Sequence, residues 1–305
     1  MPYFTVCIPT YNRAHTIIRT LESLENQNYG NFEILIIDDG STDNTGELIS
    51  DYISKSKRMI RYFYKQNGGK HTALNYGISE AKGEFFIILD SDDILTQDAL
   101  KDMEYLWNNS KINKEQFCGI MGKCVTLDGK PIGENFPEEG FISSYIDFHF
   151  GSGFSLKGNK YGDCCECIRT NILKKYRFPE DSSIKFVPES LILDKIGMKY
   201  NLLCTNRILK KVEYLQDGMT LNRTSHKENN IVGFIIKYVS NVDEIIPNSN
   251  ISYLPKLVSW WQYWRAIKMD STHSGPRCKK KTLMGMIVKY ISPGLDLAYY
   301  LVKKK

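Results

Sequence analysis

The sequence predicts an α/β fold built on a mostly parallel sheet with helices on both faces, followed by a helical extension. Three observations lead there. Strand-like and helix-like segments alternate over the first 130 residues. The strand-like runs are apolar almost throughout, as expected of strands covered on both faces. A polar cluster follows one strand after another, and in such folds ligands gather beyond the carboxyl ends of the strands.

The elements follow in order. "FTVCIPT" (4–10) reads as the first strand, and "HTIIRTLESLENQ" (15–27) carries apolar residues at helical spacing. "FEILIIDD" (32–39) is a near-continuous apolar strand. "DNTGELISDYISK" (43–55) is a helix that opens on acids, which suit the positive end of a helix dipole. "MIRYFYKQ" (59–66) and "EFFIILDS" (84–91) are strands flanking a helix over "HTALNYGISEAK" (71–82). This alternation predicts right-handed crossovers between parallel strands. Past residue 130 the pattern loosens: "GKPIGENFPEEG" is loop-like, a helix starts near Pro188, and "YNLLCTNRILKKVEYL" supplies another strand. From Asn229 onward helices dominate, "LVSWWQYWRAIKM" being the clearest. Its aromatics, at helical spacing, are expected in a core. The boundary is placed at 225/226, with a catalytic unit before it and an extension after it.

Composition bounds the function. At 305 residues the chain can bury a large core. Its net charge of +5 is uneven: residues 277–305 carry eight Lys/Arg against Asp296 alone, a surplus of +7, which leaves −2 for the rest. Such an end suits an anionic surface. No motif for reading nucleic acid is present, so a membrane face is the expected partner. "TLMGMIVKYISPGLDLAYYLV" (282–302) is broken by Lys289, Pro293, Gly294 and Asp296, which fits a helix lying in the membrane interface, or packed on the domain, better than one spanning it. The start, "MPYFTVCIPTYNR", lacks a basic segment followed by an apolar run, and the eight cysteines are scattered. Both point to a reducing, cytoplasmic location, at the inner face of the cell membrane if the tail binds it. "CCEC" (164–167) offers a C-x-x-C spacing, but tetrahedral zinc takes about four ligands and no second close pair exists, so packed thiols are expected.

The chemistry centres on "LDSDD". Asp90, Asp92 and Asp93 lie within four positions at a strand end, more carboxylates than a turn requires. Oxygen-only ligands suit Mg2+ or Mn2+, which bridge one or two protein carboxylates to substrate phosphates. "QNGGKHT" has no glycine five residues before Gly69 and is not a Walker A loop.

"IPTYNR", "IIDDGSTDNT" and "NGGKHTALNYGISEAKGEFFIILDSDD", in that order and spacing, resemble the inverting family 2 glycosyltransferases of GT-A fold, whose sheet is Rossmann-like. The resemblance is strong over about residues 3–110 and looser to about 220 through "KYGD", "KFVPESL" and "EYLQDGMT". It implies that Pro9, Thr10, Tyr11 and Asn12 line the nucleotide pocket, with Tyr11 against the base. Asp39 would bind a uracil N–H, and Asp38 would assist or cap the turn. Asp90 and Ser91 would face the ribose or the metal's surroundings, Asp92 would be the principal metal ligand, and Asp93 would support the metal's ligands or contact the sugar. Lys70 would meet the diphosphate or stand in solvent. In this family the base for the acceptor hydroxyl usually comes from a Glu-Asp pair opening a helix. The matching "VPES" has Glu189 and then Ser190, a departure that also admits a catalytically silent nucleotide-sugar-binding module. Glu189 is the expected base, because a carboxylate in the first turn is favoured as the anion. Asp194, five residues on, lies about 140° round the helix. Asp163 and Glu166, where relatives often read Gly-Asp-x-x-Glu, would contact acceptor or sugar, or serve as structural hydrogen-bonding groups. The implied donor is a nucleotide diphosphate sugar, UDP-linked by preference, and the implied acceptor a glycan or lipid-linked hydroxyl of a surface polysaccharide.

Overall fold

A computed structural model describes residues 1–303 apart from 157, 217, 219, 220 and 281. Asp217, Met219 and Thr220 of "EYLQDGMT", and Lys281, Lys304 and Lys305 of the basic end, therefore lie outside the described residues.

The first half alternates as its sequence predicts. Strands β1 (Phe4–Thr10), β2 (Phe32–Asp38), β3 (Ile60–Tyr64) and β4 (Phe85–Ile88) run parallel in the order β3-β2-β1-β4. Between and after them come α1 (Ile17–Glu25), α2 (Thr45–Lys55), α3 (Lys70–Glu80), the two-residue β5 (Ile94–Leu95) and α4 (Ala99–Asn109). Alternation sorts the side chains. Phe4, Val6 and Ile8 enter one buried cluster with Ile17, Leu21 and Leu24 of α1, whereas Cys7 enters the other with Ala73 and Leu74 of α3. The sheet is thus covered on both faces, which is why its strands read as unbroken apolar runs.

Past β4 the sheet becomes mixed. β6 (Phe117–Thr126) precedes β7 (Ile142–Ser143), α5 (Tyr145–Phe150) and the small β8 (Phe154–Ser155) and β9 (Gly158–Asn159) pair. β10 (Cys164–Arg169) then inserts antiparallel between β4 and β6. After α6 (Thr170–Leu173) and α7 (Ser190–Gly197), the long β11 (Asn201–Val212) pairs parallel with β6 and antiparallel with β5 and β7. The cysteine run is therefore strand. Cys164 faces one cluster and Cys167 the other, three positions apart on a period of two, so the C-x-x-C pair cannot converge on one ion. All eight cysteines are free thiols.

Helices α8 (Arg223–Asn229), α9 (Ile231–Ser240), α10 (Ile246–Asn248), α11 (Tyr253–Met269) and α12 (Leu283–Lys303) complete the chain. Trp260, Trp261 and Tyr263 of α11 are core, packed with Ile235 and Tyr238 of α9 and Val288 of α12. α12 continues through Pro293 and is tied to α11 by Trp264 Nε1 donating to the Gly285 carbonyl (2.8 Å) and Trp261 Nε1 to Asp296 (2.7 Å). Among the described residues no helix is long and apolar enough to cross a membrane.

A buried ion pair joins these helices to the α/β half. Asp194 of α7, fully buried, accepts from Lys237 of α9 and from His149 of α5 (2.5 Å), and Lys237 also donates to Asn241 (2.7 Å). Burial opposes charge on Asp194, but Lys237 and His149 outweigh it and hold the carboxyl below its ordinary range. That position makes Asp194 structural rather than a rival base. Asp194→Ala strands the Lys237 ammonium and is expected to cost about 3–5 kcal/mol, read as a lower urea midpoint at unchanged slope. A cost under about 1 kcal/mol would show that Lys237 swings to solvent.

Candidate active site

The strand registers bring the polar clusters to one edge. Thr10 pairs with Asp38, Asp39 N donates to the Thr10 carbonyl (2.8 Å), and Leu89 N donates to the Cys7 carbonyl (2.9 Å). "PTYNR", "DDGS" and "DSDD" therefore leave the sheet side by side. They open onto a cleft of about 710 Å3, within the range of ligand pockets.

Twelve of the fourteen residues to which the resemblance gives a role line this cleft; Asn12 and Asp38 do not. Asn12, at φ +50, turns its Oδ1 to Thr42 N (2.8 Å) and closes the loop behind the pocket. Tyr11 is 46% exposed, which leaves its ring face open to a planar ligand. Asp38 caps its turn, accepting from Ser41 N (2.7 Å) and the Tyr62 hydroxyl (2.9 Å). Asp39 is held by Lys65 (2.5 Å) and by the amides of Gly68 (3.0 Å) and Gly69 (2.7 Å). Gly69 sits at φ +94, and a Cβ there would meet the Lys185 carbonyl at 2.0 Å, so only glycine lets the loop deliver Lys70 to the start of α3.

Lysines hold the aspartates together. Lys70 bridges Asp90 (2.5 Å) and Glu189 (2.8 Å), so it is neither free nor solvated. Burial works against its charge, but Asp90 and then Glu189 more than offset this and raise its pKa. Lys210 pairs with Asp93 (2.8 Å). Sequence reasoning missed Lys210. It reaches the cluster because β5, directly after "DSDD", pairs antiparallel with β11, setting Lys210 opposite Leu95. The only local signal is a lysine inside an apolar strand, "RILKKV".

Asp92 differs from its neighbours. Among the described residues its carboxylate forms no ion pair, and burial followed by the charges of Asp90 and Asp93 pushes its pKa up to about 6. That unmet demand for positive charge fits a hard divalent cation. No group of three His, Cys, Asp or Glu among the described residues makes a metal cage. Asp92 would therefore hold Mn2+ or Mg2+ jointly with ligand phosphates and water.

Three further acids, Glu189, Asp163 and Glu166, line the same cleft. Glu189 immediately precedes α7 and is partly exposed. Asp163 accepts from the Tyr214 hydroxyl (2.7 Å), a partner the sequence did not suggest. Glu166, on β10, is pushed up to about 7 by burial, with Lys210 opposing and Glu189 and Asp163 adding to the rise.

A crossover α/β sheet with an acidic, lysine-buttressed cleft at its strand ends has the architecture of a ligand-binding α/β protein. The sequence profile described as Glycosyl transferase family 2 matches residues 5–112. An uncharacterized glycosyltransferase of Haemophilus influenzae is 34% identical over 198 residues, which is 64% of this chain and 72% of that protein. The chain belongs to the family 2 glycosyltransferases. It is 45% identical over 109 residues to an uncharacterized glycosyltransferase of Rickettsia felis, a match covering 35% of this chain but only 18% of that longer protein. It is 27% identical to the GalNAc(5)-diNAcBac-PP-undecaprenol beta-1,3-glucosyltransferase of Campylobacter jejuni, over 59% of this chain and 56% of that one. Two solved structures share the fold. S. aureus TarS 1-349 in complex with UDP-GlcNAc has a TM-score of 0.57 at 18% identity, covering 98% of this chain and 81% of that one. The mannosyltransferase PcManGT from Pyrobaculum calidifontis, in complex with GDP-Man and Mn2+, has a TM-score of 0.58 at 16% identity, covering 99% and 83%.

Proposed function

We propose that this protein transfers a sugar from a nucleotide diphosphate sugar, UDP-linked by preference, to a hydroxyl of a glycan or lipid-linked acceptor, with inversion. The observation that carries the reading is the convergence of Asp90, Asp92, Asp93, Lys70 and Glu189 on one cleft. The UDP-GlcNAc bound by TarS and the GDP-Man bound by PcManGT support the donor class, and the undecaprenol-linked substrate in the Campylobacter relative's name supports a lipid-linked acceptor. Residues 1–225 form the catalytic unit on this reading, and 226–305 the extension.

The roles follow from position. Tyr11 stacks on the base and Asp39 accepts its N–H, Pro9 and Thr10 forming the pocket wall. Asp90 and Ser91 face the ribose, Lys70 turns from Glu189 toward the diphosphate, and Asp93, Asp163 and Glu166 contact sugar or acceptor. Bound through Asp92, Mn2+ or Mg2+ would neutralise charge on the departing diphosphate. Glu189 takes the acceptor proton as the acceptor oxygen bonds to the anomeric carbon. The bond from that carbon to the diphosphate breaks, and attack from the opposite face inverts the centre. Purified protein incubated with a panel of UDP-, GDP- and dTDP-sugars and MnCl2 should release one nucleoside diphosphate slowly without acceptor. Tight binding with no release from any donor would favour the silent module.

A membrane contact is supported by the outer face of α12. Leu283, Met286, Ile287, Tyr290 and Ile291 are 45–82% exposed there, with Lys289 on the same helix. Replacing Met286, Ile287 and Tyr290 together by serine should weaken binding to vesicles with anionic headgroups by at least about tenfold, given roughly 25 cal/mol per Å2 of apolar surface withdrawn from water. Unchanged vesicle binding would leave α12 a packing role alone. This location implies the cytoplasmic face.

A further inference from the structure

A second cavity, of about 260 Å3, adjoins the cleft. Phe148, His149, Asn159 and Ser190 line both spaces. Glu189 faces the first, while its neighbours Pro188 and Ser190 wall the second. The expected base thus stands beside residues that the two spaces share. The far wall belongs to the extension, through Tyr238 of α9 and Gln262 of α11.

The chemistry of this cavity is specific. Lys237 borders it, but the Asp194 carboxylate cancels that charge, so an anion gains little there. The amide of Gln262 makes no hydrogen bond among the described residues. Asn159 spends only its Oδ1, on Tyr161 N (2.9 Å), which leaves its NH2 available. Phe148, Phe154 and Tyr238 add aromatic surface. Aromatic faces beside unspent planar amides match a neutral pyranose, whose C–H face is apolar and whose rim carries hydroxyls. At about 30 Å3 per water the space holds roughly nine waters, room for one such ring.

We infer that this cavity is a carbohydrate subsite, which holds a neutral pyranose of the acceptor so that its hydroxyl reaches Glu189 past His149 and Ser190. The assignment to the acceptor rests on the transferase reading; the binding of sugar does not. Saturation-transfer NMR on the full chain, with the methyl β-glycosides of glucose, galactose and N-acetylglucosamine, tests it. At least one glycoside should give a signal that survives saturating UDP and Mn2+. Gln262→Ala and Phe154→Ala should each weaken that glycoside about fivefold, the effect of roughly 1 kcal/mol, with circular dichroism and melting temperature retained. Gln262→Glu, which keeps the shape of the side chain, supplies a second folded variant. No signal from any glycoside, a signal removed by UDP, or one indifferent to every substitution would overturn the subsite. Should UDP itself fail to bind, the nucleotide-sugar reading falls, while the glycoside signal read without UDP still decides the cavity.

Discussion

Asp92→Asn is expected to lower sugar-donor turnover on the order of 100- to 1,000-fold and yet to raise the melting temperature of the metal-free protein. The two effects share a cause. Burial and the neighbouring Asp90 and Asp93 lift the Asp92 pKa to about 6, against an unfolded value near 3.9. Between those values the folded chain binds more protons than the unfolded one, so stability falls as pH rises from about 4 to about 6 and stays reduced above that. Asparagine keeps the shape and removes the charge. A gain of about 1 kcal/mol after solvent screening is expected at pH 7.5, which for a chain of this size is about 2–4 °C.

On the proposed reading the cation would supply the positive charge that the lysines do not bring to Asp92. Manganese should stabilise the wild type by selective binding to the native state and should leave Asp92→Asn unmoved. Below pH 6 protons compete for the same carboxylate, so apparent metal affinity should weaken as pH falls. Wild-type turnover that persists in chelator, or a variant no more stable than its parent, would remove Asp92 from the metal site.

The sequence made local features legible and long-range pairings opaque. The first four strands and their helices were readable because each carries its own period, and the cleft was readable because three polar clusters follow three strands. What fills the cleft with positive charge was not. Lys70 follows two glycines in a loop, and its two carboxylate partners come from positions 90 and 189. Lys210 needs the β5–β11 pairing, more than a hundred residues apart, before it meets Asp93. Asn12 shows the converse, a residue of a ligand-binding block whose side chain turns away to hold its own loop. The mixed second half was opaque for a related reason. β10 is a strand of cysteines and a glutamate, a composition that suggests chemistry before it suggests a sheet.

Glu189→Gln is expected to lower kcat by about 100- to 10,000-fold, the usual contribution of a positioned base, while donor binding changes little. The glutamate faces the cleft at the opening of α7, where it is bonded to Lys70 (2.8 Å). A donor diphosphate competes for that same lysine, so donor binding would free the carboxylate as the acceptor arrives. Glu166 is the rival. Its pKa, pushed up to about 7, would give a base titrating at neutral pH, and Glu166→Gln would then erase the acid limb of the kcat profile. If Glu189 is the base, Glu166→Gln should move the acceptor KM and keep most of kcat, with the acid limb in place. Because Glu166 also lies in the field of Glu189, the two single variants and their double should be measured together. A double variant no slower than Glu189→Gln alone places the proton transfer on Glu189, whereas wild-type kcat in Glu189→Gln moves it to β10.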